Sequence, residues 1–252
     1  MQSDTASDKF PLLSNERHRP QEPESGKLPE PDQDRSLEVV IHDLRRVLSA
    51  NGELDGDEVD SDSIERHFGL FEGEAEKLGC LYEGLQPGMK GGAEHDVLHA
   101  PGTGTILKFT KPSKAAYVVD FDFGTPRMAA AAPLDYLERL RLQNELFADN
   151  MRFVGLGGDV GGRRIVTRQQ IVEGRGARWE EIVRLMVDEL GFTKLRHNHG
   201  IGYEDSYAFV RDDSVVFDMR PANVFVTATG IIIPVDCIPV RMPPGKRSFF
   251  DK

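Results

Sequence analysis

Residues 215–239 read VVFDMRPANVFVTATGIIIPVDCIP, and the reading of this stretch decides the fold. Val215-Val216-Phe217 is apolar, whereas Asp218-Met219-Arg220-Pro221-Ala222-Asn223 is polar and broken by proline. Val224-Phe225-Val226 is β-rich, Thr227-Ala228-Thr229-Gly230 is a turn, and Ile231-Ile232-Ile233 opens a return strand. That strand delivers a second acid, Asp236, thirteen residues after Asn223. A hairpin this apolar is largely buried, so its Asp and Asn side chains need partners. Two acids and an amide at the ends of paired strands suit a divalent cation, because hard ions such as Mg²⁺ take oxygen ligands. The plainer reading is a buried hairpin with a capping Asp and a turn-forming Asn.

Asp-x-Arg-Pro-x-Asn resembles the catalytic loop of protein kinases, in which the Asp and Asn are likewise separated by four residues. Asp236 stands where the metal-binding Asp of the kinase DFG element falls, although here the motif is Asp-Cys-Ile. Val216-Phe217 replaces the usual His-Arg before the loop Asp, a departure closer to atypical kinases.

The remainder of the chain sets the context. Its 252 residues suit one domain or two small lobes plus a tail. A net charge of −11 argues against a generic nucleic-acid binder or a binder of anionic membranes. Cys80 and Cys237 form no disulfide framework, which favours a reducing compartment. No apolar run is long enough to span a membrane and no signal-peptide core opens the chain, so the expectation is a cytoplasmic protein.

Residues 1–35 are rich in Pro, Ser, Asp and Glu and are expected to be a disordered acidic tail. A helical extension over 36–79 follows. Ser36 is positioned to N-cap a helix with Leu37, Val40, Ile41, Leu44, Val47 and Leu48 on one face, stopped by Asn51-Gly52. That face must dock on the core or on a partner protein. The acidic run 51–62 fits an EF-hand loop at only some positions and reads better as a surface loop. A second helix is expected over 64–81.

From Gly84 the chain turns to strands. Gly91-Gly92-Ala93-Glu94-His95 enters a strand that turns at residues 100–104 and returns through Thr105-Ile106-Leu107-Lys108-Phe109-Thr110. Glycines there let backbone N–H groups approach phosphate oxygens, and Lys108 projects away from the face of Leu107 and Phe109. Asp122-Phe123-Gly124 spells the kinase metal motif but precedes the catalytic-loop candidate, and it reads as loop. Residues 133–149 form an amphipathic helix opened by Pro133. Two strands, 151–156 and 163–170, flank a glycine turn, and Trp179 to Leu190 makes a further helix. His197 and His199 lie in a polar segment without an evident third metal ligand. Tyr207 to Val210 and Val215 to Phe217 pair on the way to Asp218.

GGAEHDV, LKFT, PLDYLERLRLQNELF, FDMRPANVF and IPVDCIP, in this order, look like the Ser/Thr/Tyr kinase-like domain of bacterial and phage polyvalent proteins. The resemblance covers residues 80–243 and leaves 244–252 as a C-terminal tail. It implies an α+β, compact, two-lobed protein-kinase-like fold, with an antiparallel N-lobe sheet and a reduced helical C-lobe. Sixteen residues follow Asp236, so an activation segment and a large C-lobe are not expected.

The resemblance implies Mg²⁺ and ATP as cofactors. Lys108 and the loop Gly91, Gly92, Ala93, Glu94 and His95 would hold the phosphates, and Asn223 and Asp236 the metal. Asp218 would orient an acceptor hydroxyl, and Arg220 would steady the phosphoryl charge. Glu138, or else Glu145, would pair with Lys108, and Gln169, Gln170 and Ile171 would form the adenine-binding hinge. The partners implied are ATP and a hydroxyl-bearing protein or small molecule, with a partner protein also conceivable on helix 36–50. The rival is a catalytically inactive pseudokinase acting as a nucleotide-binding or interaction module.

Overall fold

The computed structural model of the chain describes residues 28–54, 60–121 and 125–250. The Asp122-Phe123-Gly124 motif, part of the acidic run and residues 1–27 lie outside them. In chain order, α1 (Leu37–Ala50) and α2 (Ser61–Lys77) are followed by β1 (Leu81–Tyr82), β2 (His95–Ala100), β3 (Thr105–Thr110), β4 (Tyr117–Asp120) and β5 (Arg127–Ala130). Then come α3 (Pro133–Phe147), β6 (Arg152–Gly157), β7 (Arg164–Gln170), β8 (Arg175–Gly176), α4 (Trp179–Val183) and β9 (Thr193–Lys194). The last strands are β10 (Tyr207–Arg211), β11 (Ser214–Met219), β12 (Val224–Val226), β13 (Ile232–Pro234) and β14 (Ile238–Arg241). The architecture is mixed α+β. None of its described helices is long and apolar enough to cross a membrane.

The first sheet has the order β1-β6-β7-β3-β2. It is antiparallel except at β1, which runs parallel to β6. Strand alternation sends neighbours to opposite faces. Phe153 and Ile165 join a core with α1, α2 and α3, whereas Val154 and Val166 join Leu107 and Phe109 on the other side. Lys108, between Leu107 and Phe109, therefore points away from that second cluster.

The helical extension is bound to this sheet. Ser36 caps α1 by accepting from Val39 N–H, and Leu37, Val40, Ile41, Leu44 and Leu48 are buried in the core with α2 and α3. Of the two alternatives for the apolar face, core or partner, it docks on the core. Arg163 donates to the Gly158 carbonyl and pairs with Glu72 of α2 at 2.8 Å.

The tail boundary expected at residue 35 is also too late. Arg35 exchanges backbone bonds with Phe153. Arg168 pairs with the buried Asp34 and donates to the Pro29 carbonyl and the Thr105 hydroxyl. An otherwise unpaired guanidinium in the sheet interior attracts this segment, which composition alone assigns to a tail.

After Gln170 the expected reduced helical portion is mostly β. The one α-helix there, α4, widens over Arg184–Glu189 into π-type bonding. Two small sheets, β14-β11-β10-β9 and β13-β12-β8, make up the rest. The C-terminal residues are packed as well: the Phe250 ring lies 6.4 Å from that of Phe121 and 6.2 Å from that of Phe217. Cys80 and Cys237 are free and buried.

Candidate functional site

The glycine-rich entry to β2, Lys108 and the end of β11 meet at a cavity of about 550 Å³. Gly92, Ala93, Glu94 and His95 line it at the entry to β2. Lys108, Asp218, Arg220 and Asp236 line it too, with Gly202, Tyr203, Tyr117, Met128, Val97 and Ile238 completing the wall. That volume suits a nucleotide-sized ligand.

Each polar group has a structural reason for its place. Lys108 is nearly buried, donates to the Val235 carbonyl at 3.2 Å, and lies 3.8 Å from Asp236. Asp236 is about half exposed toward the cavity. Burial pushes its carboxyl up, but the surrounding charges of Lys108, His95, Arg139 and Arg220 outweigh this and hold it below the ordinary aspartate value. Asp218, next to last in β11, is in the left-handed region at φ 56°, a conformation that costs a non-glycine residue free energy and tends to mark functional positions. Its Oδ1 accepts from Tyr203 N–H at 2.9 Å, and its Oδ2 accepts from the Asn223 amide at 2.8 Å. The same amide nitrogen donates to the Asp218 carbonyl. Arg220 stands 3.4 Å from Asp218 Oδ1, with its guanidinium over the Tyr203 ring.

Asn223 is buried behind Asp218 and does not reach the cavity wall. Its amide nitrogen aims Asp218 by donating to it, and its amide oxygen can only accept. Gly91 sits below the wall, its N–H bonded to Asp96 Oδ1 at 3.1 Å. Burial opposes the charge on Asp96, yet Lys111, Gly91 and Arg164 together lower its pKa to about 2. His95 is driven the other way: burial, then the Lys108 charge, bring its pKa down to about 4, so the ring is neutral. It bonds the Tyr136 hydroxyl at 2.8 Å.

Besides Gly91 and Asn223, five expected residues fall elsewhere. Glu138 does not pair with Lys108 but with Arg45 and Arg141. Glu145, its alternative seven residues on, pairs with Arg141 and Arg241. Both lie on the face of α3 turned away from the hairpin. The three hinge candidates stand apart from this cavity: β7 pairs with β3 as far as Gln170, whereas β6 pairs with it only as far as Arg168. Gln170 pairs with Thr105 in the ladder and is exposed, and Ile171 N–H is bonded to the Gly104 carbonyl. Gln169 turns its side chain to Asp149 and the Val235 carbonyl. None of the three lines the cavity.

Several wall residues escape a sequence reading. Tyr117 and Met128 arrive on the β4–β5 hairpin, whose apolar signal is four residues a strand. Gly202 and Tyr203 come from a polar segment stabilised by Asn198, which donates to the carbonyls of Tyr203 and Glu204. A Cβ on Gly202 would sit 2.5 Å from Asp218 Oδ1, and its φ is +77°. Only glycine allows that approach.

A glycine-lined strand entry, a strand lysine, a loop aspartate braced by an asparagine and a second aspartate, all around one cavity, define a kinase-like domain. The model of one family, Serine/Threonine/Tyrosine Kinase found in polyvalent proteins, matches residues 88–241. The chain belongs to that family. No curated protein and no solved structure matches it significantly.

Proposed function

We propose that this domain is a Mg-ATP-dependent phosphotransferase that acts on a hydroxyl acceptor. The β2–β3 sheet and the β10–β14 region serve as its two lobes. The observation that carries this reading is the meeting of Lys108, Asp218 and Asp236 with Gly92 to His95 on one cavity. Lys108 and the backbone of the loop hold the phosphates, and Arg220 steadies charge on the transferring group. Asp218, held by Asn223 and Tyr203 N–H, orients the acceptor hydroxyl and receives its proton.

The donor set fits Mg²⁺. Asp236 presents a half-exposed carboxylate kept ionised by its neighbours, a hard ligand, and the Asp218 carboxylate lines the same cavity; Asn223, buried behind Asp218, serves the ion by holding that carboxylate in place. When bound, the ion supplies charge neutralisation for the phosphates.

Thermal-shift titration with ATP, with and without Mg²⁺, followed by measurement of γ-phosphate transfer, tests the proposal. Mg-dependent stabilisation with turnover is expected. Binding without turnover favours a pseudokinase, and absence of binding overturns the nucleotide reading altogether.

A further inference from the structure

We infer that Arg139 and Tyr136 of α3 are positioning residues that latch the nucleotide-covering loop, in place of an acid–lysine pair between helix and strand. The inference rests on the nucleotide reading above. Tyr136 and Arg139 are three residues apart and so share a helix face, the face opposed to the start of β2. Arg139 makes a two-pronged bond to Glu94, Nη1 to Oε1 and Nη2 to Oε2, both at 2.7 Å, and Nη1 also donates to the Tyr117 carbonyl at 2.7 Å. One residue on, His95 is bonded to the Tyr136 hydroxyl. Two consecutive residues of the loop are thereby fixed to two side chains of one helix. The Arg139 and Glu94 side chains are 5% and 14% exposed, so solvent screens the pair little.

The sign of the arrangement matters. Glu94 lines the cavity, and a bare carboxylate there would repel phosphate oxygens. Burial raises the Glu94 carboxyl, but the Arg139 charge and hydrogen bonds overcome this and keep it below the ordinary glutamate value. Arg139 thus neutralises the acid while it places the loop. The ligand-type atoms of Glu94, His95 and Asp236 lie within 4.8 Å of one another, yet Arg139 occupies both Glu94 oxygens, so the trio does not form an open cation cage. Lys108 is released from helix pairing and turns to Val235 and Asp236. On its other side α3 is held by α1 through Arg45 and Glu138, 2.5 Å apart. Helix, latch and loop form one continuous chain of contacts.

The test uses the full chain with Arg139→Lys, Glu94→Gln and Tyr136→Phe, each assayed for melting temperature, Mg-ATP dissociation constant and amide exchange. Arg139→Lys keeps the charge but loses the fork. It and Glu94→Gln are each expected to weaken Mg-ATP binding about tenfold and to speed exchange across residues 88–94, with β6 and β7 unchanged. Tyr136→Phe keeps the ring and loses one hydrogen bond, with a weakening of about threefold expected. It decides the matter if the other two do not fold. Variants that melt earlier but bind Mg-ATP as the parent chain does would reduce the contacts to a structural role and overturn the latch alone. A parent chain that binds no Mg-ATP overturns the nucleotide reading and the latch together.

Discussion

The two hairpins that meet at the cavity are built on opposite terms. β2 and β3 pair six consecutive residues, His95↔Thr110 through Ala100↔Thr105, without a slip. β10 and β11 shift register between Tyr207 and Phe209, and β11 leads to Asp218 in a left-handed conformation. The sheet around the first hairpin is cross-braced by buried and half-buried ion pairs: Arg168 with Asp34, Arg163 with Glu72, and Arg164 and Lys111 with Asp96. The second is embedded in apolar clusters, with Phe209, Phe217, Val216 and Val224 fully buried; its polar groups lie at the turn, where Asp213 pairs with Arg241, and at the far end, where Asn223 holds Asp218. One region holds a platform rigid, whereas the other concentrates strain where the chemistry is proposed. Damage to the first should therefore read out as stability, and damage to the second as activity.

Asp236→Ala gives the largest separation of the two. Transfer of phosphate is expected to fall about a thousandfold with the melting temperature nearly unchanged, as measured by single-turnover assay beside calorimetry. A rate within tenfold of the parent would remove Asp236 from the metal role.

Arg168→Met probes the platform. It leaves Asp34 buried without its cation and should destabilise the fold by about 3 kcal/mol in chemical denaturation, while the folded fraction keeps its nucleotide affinity. A loss of affinity without a loss of stability would break the comparison.

Acid offers a gentler test through Asp96. Its folded pKa, about 2, lies below the unfolded value of 3.8, so its contribution is fully present above 3.8 and fades as pH falls toward 2. That contribution is about 2 kcal/mol. Asp96→Asn should flatten the stability profile across that window, and an unchanged profile would mean that the bonds to Lys111, Gly91 and Arg164 hold no net advantage.

Gly202→Ala carries about 1 kcal/mol from the positive φ alone, and a new methyl 2.5 to 2.7 Å from three Asp218 atoms adds to that cost. Because the new methyl group presses on Asp218, the transfer rate should drop more than that figure alone predicts. Stability loss with an unaltered rate would separate Asp218 from the reaction.

How legible these regions were follows from the same contrast. The helices of 37–50 and 133–147 and the hairpin carrying Lys108 stand in the sequence because their periodicity comes from one-sided burial, a local property. Asp218, Asn223 and Asp236 stand in it because buried hairpins rarely carry acids without cause. β4, β5 and β14 were not legible, since strands of four residues carry too little pattern. Glu138 misled because spacing alone does not say which side of a helix faces the hairpin.

The sequence by itself determined the long helices, the hairpin carrying Lys108, the family and the polar residues that need an explanation, because these depend on residue identity and short-range pattern. Only the tertiary structure decided which charges meet. It placed Arg139 rather than Glu138 against the loop, Asp34 beneath Arg168, and Gly202 against Asp218. Pairing of buried charges depends on helix rotation and on approaches across many residues of separation, and no local pattern encodes either. The stretch 215–239 thus announced its acids, and the fold supplied the cavity they share.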